Sequence, residues 1–432
     1  MGVLKKRLAY ASLAAIIALS GLTSGCGSDS TTQSAAATTT ADQTVAAQTQ
    51  LIFTSDAHYG IKRSAAGIFN GYSSGFQVNG AMVSVMNTIS DVTTPCNDGG
   101  LNACLKVGPV DFVVEGGDIA NRSEGTTRPA TPTTYQTAAT SWSQFKSDYI
   151  DGLTLRDKTG KQSQLFIIPG NHDVSNAIGY YKAPMNAADG SGLDATSYTQ
   201  IYNLMMKPAT PLTNSAFVGA SPSLANAAAS YAATANRVYY SKDINGVHFV
   251  FITMWPDKPA RDWIDADLAK VSATTPVILF THDQPDIETK HLTNPNGVKD
   301  INSTDKFENL VSEVSVSTAI TGDSFAAQRA LVAWLKTHKN IVVYFHGNDH
   351  INNTYTYTGP DNDISLNVVR VDSPMKGILS DGSNGSNVNP SLLAFKVVTV
   401  DAASLKLTVR DYLWNARRWG ATTTISLAPR AL

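Results

Sequence analysis

The chain has 432 residues, a formal net charge of −2, 43% hydrophobic and 16% charged residues. That is ordinary globular composition, long enough to bury a large core. It carries no basic excess of the kind that binds nucleic acid by charge.

The N-terminus comes first. Lys5, Lys6 and Arg7 precede an apolar run from Leu8 to Leu22, then the small residues Thr23, Ser24 and Gly25, then Cys26. This is the layout of a secretory signal. Small residues before a cysteine also match a bacterial lipoprotein signal, in which Cys26 would become the lipid-modified first residue. Thr23 stands where that signal usually has Leu. Soluble release and an uncleaved anchor stay open beside the lipoprotein reading, since the run is near the lower length for spanning a bilayer. Each of these outcomes places the body outside the cytoplasm. Residues 27–49 are Ser, Thr, Ala and Gln with almost no large apolar side chain, the composition of a flexible tether. The expected organisation is therefore a signal over 1–26, a linker over 27–49 and one catalytic domain over 50–432.

Two further cysteines, Cys96 and Cys104, flank the turn-rich Asn97-Asp98-Gly99-Gly100. Export makes a disulfide between them plausible, with two free thiols as the alternative.

Along the body, five short apolar runs end in polar clusters. Gln50–Thr54 runs into Asp56 and His58, and Phe112–Glu115 into Gly117-Asp118. Leu165–Ile168 runs into Gly170-Asn171-His172-Asp173, Val277–Phe280 into His282-Asp283, and Ile341–Phe345 into His346-Gly347-Asn348-Asp349-His350. Short apolar runs bounded by turn residues read as buried strands. Between them, Tyr135–Ile150, Asp262–Val271 and Ala326–Leu335 read as helices. Alternating strands and helices predict an α/β fold, whose sites form at the carboxyl ends of strands. Tyr59–Asn87 and Val174–Arg237 read as loop-rich insertions over that face.

Asp56, His58, Asp118, Asn171, His282 and His350 offer carboxylate, amide-oxygen and imidazole donors, a set suited to Zn, Mn or Fe. Asp56 and His58, two apart at a strand end, can point to one pocket. A single carboxylate such as Asp118 can bridge two metals, and two metals about 3.5–4 Å apart can clamp a phosphate.

The pattern resembles the calcineurin-like metallophosphoesterase family, whose motifs run D-x-H, G-D-x-x-[DN], G-N-H-[DE], a lone His, then G-H-x-H. Here they are Asp56-Ala57-His58, Gly117-Asp118-Ile119-Ala120-Asn121, Gly170-Asn171-His172-Asp173, His282, and Gly347-Asn348-Asp349-His350. The resemblance covers about 50 to 350 and implies a four-layer α/β/β/α sandwich of two mixed sheets flanked by helices. It implies that Asp56, His58 and His350 hold one metal, that Asp118 bridges, and that Asn171 and His282 hold the second. His172 would lie beside the phosphate as transition-state stabiliser or proton donor, with Asp173 orienting it. Asn348 replaces the His that normally binds the second metal, so it is a weaker ligand candidate. His346, two residues earlier, is expected to end the strand or to support the ligands from behind, because Gly347 fixes the register.

Other residues receive plainer readings. His248 is expected to be structural, His291 and His338 solvated, and Asp349 an exposed turn residue. Tyr59 and Arg63 are candidates for touching substrate, Asp283 for supporting His282, and Trp255-Pro256 for lining either the pocket or the core. The expected function is hydrolysis of a phosphomonoester or phosphodiester by metal-activated hydroxide outside the cytoplasm. Nucleotides, lipid headgroups and sugar phosphates are the candidate substrates, and membrane contact would come only through a lipid anchor. The alternative, suggested by Asn348, is a surface-anchored binding protein on a catalytically weakened scaffold.

Overall fold

A computed structural model describes residues 47–61, 72, 74–120, 136–178, 195–213, 216, 236–292, 310–313, 324–376 and 390–431. The signal-like segment with Cys26, nearly all of the linker, Arg63, Asn121 and Tyr135 lie outside these residues. Gln48 and Thr49, assigned to the linker by composition, are buried. Gln48 bonds to Asp401 and Asn102, so its polarity is satisfied inside the body.

In chain order the regular elements are β1 (Thr49–Thr54), α1 (Gly75–Met86), β2 (Phe112–Glu115), α2 (Ala138–Phe145), β3 (Gln164–Ile167), α3 (Asn171–Ile178) and α4 (Thr196–Met206). They continue with β4 (Tyr239–Ile244), β5 (Val247–Ile252), α5 (Lys258–Leu268), β6 (Val277–Phe280), α6 (Phe325–Thr337) and β7 (Ile341–His346). Five strands close the chain: β8 (Asn353–Tyr357), β9 (Leu366–Arg370), β10 (Ala394–Asp401), β11 (Lys406–Leu413) and β12 (Arg418–Ser426).

Two mixed sheets form, ordered β12-β11-β10-β1-β2-β3 and β4-β5-β6-β7-β9-β8. Strands β1, β2 and β3 are parallel, as are β5, β6, β7 and β9. Their apolar runs are continuous because both faces are covered. Leu51 and Phe53 of β1 pack between the sheets, while Ile52 packs in the other cluster with residues of α1. Aromatic rings join the sheets: Phe53 meets Phe345 at 5.2 Å between centroids, Phe112 meets Phe249 at 5.2 Å, and Phe166 meets Phe251 at 5.0 Å. Helices cover the outer faces, which gives the α/β/β/α sandwich.

Local chemistry explains the helices. Asp257 caps α5 by accepting from the Ala260 amide at 3.1 Å, and a proline stands at its first turn. Ala260, Ile264 and Leu268, spaced by four, are the buried face of α5. The stretch predicted as loop before Asn87 contains α1 instead. Ser74 and Gln77 form a capping box, and Val78, Met82 and Met86 are buried at four-residue spacing. Likewise α3 and α4 occupy part of the second expected loop region. The helix predicted to end at Ile150 does so through a wider π turn over Lys146–Ile150. The β4–β5 hairpin turns at Asn245-Gly246, both at positive φ (48° and 81°), the pairing that a tight two-residue turn needs. Among the described residues, no helix is long and apolar enough to cross a membrane.

Candidate metal centre

Five loops that leave parallel strands build the centre, three from one sheet and two from the other. Beyond β1 and β2 the backbones stay paired: the amides of Asp56 and His58 donate to the carbonyls of Gly117 and Asp118 at 2.8 and 2.9 Å. The Asn348 amide crosses from the second sheet to Asp56 Oδ2 at 3.0 Å, and His282 Nδ1 lies 2.8 Å from the Gly116 carbonyl. Asp56, His58, Asp118, Asn348 and His350 all have φ between 44° and 61°, the left-handed region. Non-glycine residues rarely adopt it, and such strain gathers at functional sites. The tight turns also explain the glycines. A methyl group on Gly170 would collide with Asp118, and one on Gly347 with Ser55 and Asp56.

Asp56, His58, Asp118 and His350 bring one ligand atom each to within 4.8 Å of one another. His350 Nε2 lies 3.3 Å from Asp56 Oδ1, and His58 Nε2 lies 3.6 Å from the same oxygen. The two oxygens of Asp118 face different imidazoles. Oδ2 is 3.7 Å from His58 Nε2, and Oδ1 is 3.3 Å from His282 Nε2. Asn171 Oδ1 is 3.2 Å from the same His282 nitrogen. A carboxylate thus stands between two donor groups, the arrangement a bridging ligand requires. The chain resembles the calcineurin-like metallophosphoesterases.

No protein-family model matches the sequence, and no curated protein matches it. Among solved structures, the chain is similar to a dimetal phosphatase from Danio rerio, at 10% identity and a TM-score of 0.42, over 88% of this chain and 99% of that one. It is similar to purple acid phosphatase PPD1 from yellow lupin (Lupinus luteus) seeds, at 12% identity and a TM-score of 0.40, over 88% of this chain and 54% of that one. It is also similar to a 5'-nucleotidase precursor from Thermus thermophilus, at 10% identity and a TM-score of 0.33, over 89% of this chain and 55% of that one. The chain spans about half the length of the last two.

The donor set fits metal ions on its own geometry. Asp56 Oδ1 is buried without a hydrogen-bond partner, a costly state for a carboxylate unless a cation sits against it. Asn171 turns its amide oxygen towards the acceptors Asp118 and His282 Nε2. Turned over, its nitrogen would donate to them at 3.2 to 3.3 Å. Burial raises the Asp118 pKa, but the neighbouring imidazoles, His282 first, outweigh it and hold the carboxylate well below its usual range. Burial and the nearby Lys376 ammonium push the His58 imidazole well below its ordinary value, which leaves it a neutral ligand.

Some of the remaining sequence expectations hold here and others are corrected. Asp173, the residue expected to orient His172, is bonded to backbone and to Ser197. Its two oxygens accept from the amides of Ile119, Ala120 and Gly170 and from the Ser197 hydroxyl, so it clamps the β2 and β3 loops together. Burial and the Asp118 charge raise its pKa to about 6. His291 is fully buried, with Nδ1 2.7 Å from Asp283, because a carboxylate in the core supplies the partner that solvent would otherwise provide. Asp349 is half-buried and ion-paired with Arg370. Tyr59 is fully buried and donates to Asp148 at 2.7 Å. Trp255 is in the core and donates to the Pro285 carbonyl at 3.3 Å. His338 is half-buried against Asp265. His346 is buried, near the Tyr355 hydroxyl at 3.3 Å, at the end of β7. His248 lies between Asp243 and Asp267, a structural pairing.

Asn348 is buried, and its amide nitrogen donates to Gln284 at 2.9 Å and Glu288 at 3.1 Å. Those two residues and Lys376 carry no motif signal and went unnamed in the sequence. Cys96 and Cys104 form a disulfide. Arg410 reaches Asp98 within the same turn at 2.6 Å.

Proposed function

We propose that this chain is an exported, metal-dependent phosphoesterase, hydrolysing a phosphomonoester or phosphodiester outside the cytoplasm. The observation that supports this most is Asp118 set between His58 and His282, with Asp56, His350 and Asn171 completing two groups of donors. Asp56, His58, Asp118 and His350 would hold one ion of Mn, Fe or Zn. Asp118, Asn171, His282 and Asn348 would hold the other. When bound, such a pair supplies Lewis acidity towards phosphoryl oxygens and makes water a stronger acid.

The protein's own groups position the ester. The His172 amide donates to Asp118 Oδ1 at 2.7 Å, which fixes the residue at the start of α3. Its imidazole is part-exposed, 23% for the side chain, and stands beside His58 with ring centroids 5.0 Å apart. From there it donates to a phosphoryl oxygen or to the leaving oxygen. Asp173 holds the loops that carry Asp118 and Asn171 in register. Nucleotides, lipid headgroups and sugar phosphates are the substrate classes, and the Cys26 signal would tether the enzyme to a membrane.

The test is turnover of p-nitrophenyl phosphate and bis-p-nitrophenyl phosphate by metal-loaded protein. Asp118→Asn and His172→Ala should each lower it by at least about 100-fold with the fold intact. Near-normal turnover in both sinks the proposal.

One observation favours a second reading, a surface binding protein on a weakened scaffold: at Asn348 an amide stands where the family motif has an imidazole, leaving only its Oδ1 to meet a metal while its nitrogen donates to Gln284 and Glu288. Elemental analysis after loading separates the two. About two metals per chain support the enzyme, and one or none supports the binding protein.

A further inference from the structure

Lys376 lies outside every motif, yet its Nζ sits 3.3 Å from His172 Nε2. The turn that carries it is tied to the metal-ligand loops. Ser373 Oγ donates to the Asp56 carbonyl at 2.7 Å and accepts the amides of Met375 and Lys376 at 3.1 and 2.9 Å. The base of the lysine is therefore fixed to the same backbone that presents Asp56. Lys376 is itself half-buried. The carboxylates of the centre and its supporting loops, Asp56, Asp118, Glu115 and Asp173, are all buried. Arg370, the cation that ends β9, is occupied elsewhere: it pairs with Asp349 and stacks over Tyr355 at 4.8 Å.

An ammonium has three donors and no acceptor: without a ligand it donates to His172 Nε2, and with an anion beside them both groups would turn an N–H towards it. The imidazole and the ammonium converge on the space beside Asp118, where the phosphoryl group of the proposed substrate would lie. We propose that Lys376 holds a non-bridging phosphoryl oxygen and so favours doubly charged phosphoryl groups, those of phosphomonoesters, over singly charged diesters. This rests on the phosphoesterase reading for the nature of the substrate, while the anion contact itself can be measured without turnover.

The experiment is calorimetric titration of the full chain at pH 8, metal-free and Mn-loaded, with inorganic phosphate and with dimethyl phosphate. Wild type, Lys376→Met and Lys376→Arg are compared, with melting temperature and metal content recorded for each. Lys376→Met should weaken phosphate by about 10- to 100-fold, the usual worth of a hydrogen bond to a charged group, and dimethyl phosphate by less than about 3-fold. Lys376→Arg, which keeps the charge, should retain most of the preference. Equal weakening of both ligands overturns the proposal. So do no weakening of either, an Arg variant as poor as the Met variant, or a wild type that binds no phosphate. Turnover of p-nitrophenyl phosphate on the same samples reports on the underlying reading. Turnover with Lys376-independent phosphate affinity sinks the lysine alone. Lys376-dependent affinity without turnover sinks the esterase and leaves the lysine as an anion contact.

Discussion

His58 and His350, which follow strands in different sheets, place their Nε2 atoms 3.2 Å apart. Imidazole nitrogens this close share a proton or share a cation. The unpartnered Asp56 Oδ1 beside them, 3.3 Å from His350, favours the cation. Metal should therefore stabilise the fold by linkage, by about 2.7 kcal/mol at a free concentration 100 times Kd. Thermal melting with and without Mn or Zn is the check. The midpoint should rise in wild type and move far less in His350→Ala. Equal shifts in both would mean that the metal binds elsewhere.

Gly347→Ala should disable the centre more than it disables the fold. The added methyl would press on Ser55 and Asp56 where the second sheet meets the first. Relief of that crowding costs about 1–3 kcal/mol in a well-packed site. Metal titration should show an affinity loss of at least about 10-fold, with circular dichroism close to wild type. Unchanged metal affinity would contradict the close approach.

Asp148 gives a pH dependence whose sign is opposite to that of a salt-bridged carboxylate. Burial raises its pKa to about 6, against the lowering effect of the Tyr59 hydroxyl bond. The folded state then binds the proton more tightly than the unfolded chain. Its contribution is most favourable below the unfolded value and is lost as pH rises towards 6. Asp148→Asn keeps an acceptor for Tyr59 and removes the titration. Urea midpoints from pH 4 to 7 should show the variant gaining on wild type as pH rises and levelling above 6. A constant difference would show that Asp148 does not titrate in this range.

The Cys96–Cys104 bond closes a short loop, eight residues apart in sequence. Chain entropy assigns such a loop about 2.5 kcal/mol. Arg410, buried and bound to Asp98 and to the Leu101 carbonyl, pins the loop independently. The Cys96→Ser, Cys104→Ser double variant should therefore melt lower while keeping its metal affinity. A loss of metal binding would show that the loop supports the centre.

The strands that carry the ligands were legible because each is a short apolar run with a polar end. Val277–Phe280 and Phe112–Glu115 match the expected bounds to the residue. Ligand candidates were legible because their residue types recur in a fixed order. What escaped the sequence depends on distant partners. His291 reads as polar surface until Asp283 is seen beside it in the core. Asp349 reads as an exposed turn until Arg370 arrives from β9. The partners of Asn348, Gln284 and Glu288, come from the loop after β6, 64 and 60 residues away. Strands β10 to β12 alternate weakly and hold Lys396, Asp411 and Arg410 indoors, where ion pairs hide their charge from any hydropathy pattern. The Ser74-Gln77 capping box was visible in principle and marks α1 inside a stretch that composition assigns to loop.

Strand β1 lies between β2 and β10, and the Gln50 side chain bonds to the Val398 carbonyl across 348 positions of sequence. The strand that leads to Asp56 and His58 thus begins its sheet with an early neighbour and finishes it with a very late one. A nascent or half-threaded chain can pair β1 with β2 but leaves the other edge open, a long-range closure of the kind that slows folding and exposes an unpaired strand in the meantime. The sheet around the strand that leads to Asp56 and His58 is therefore complete only once β10 has been made.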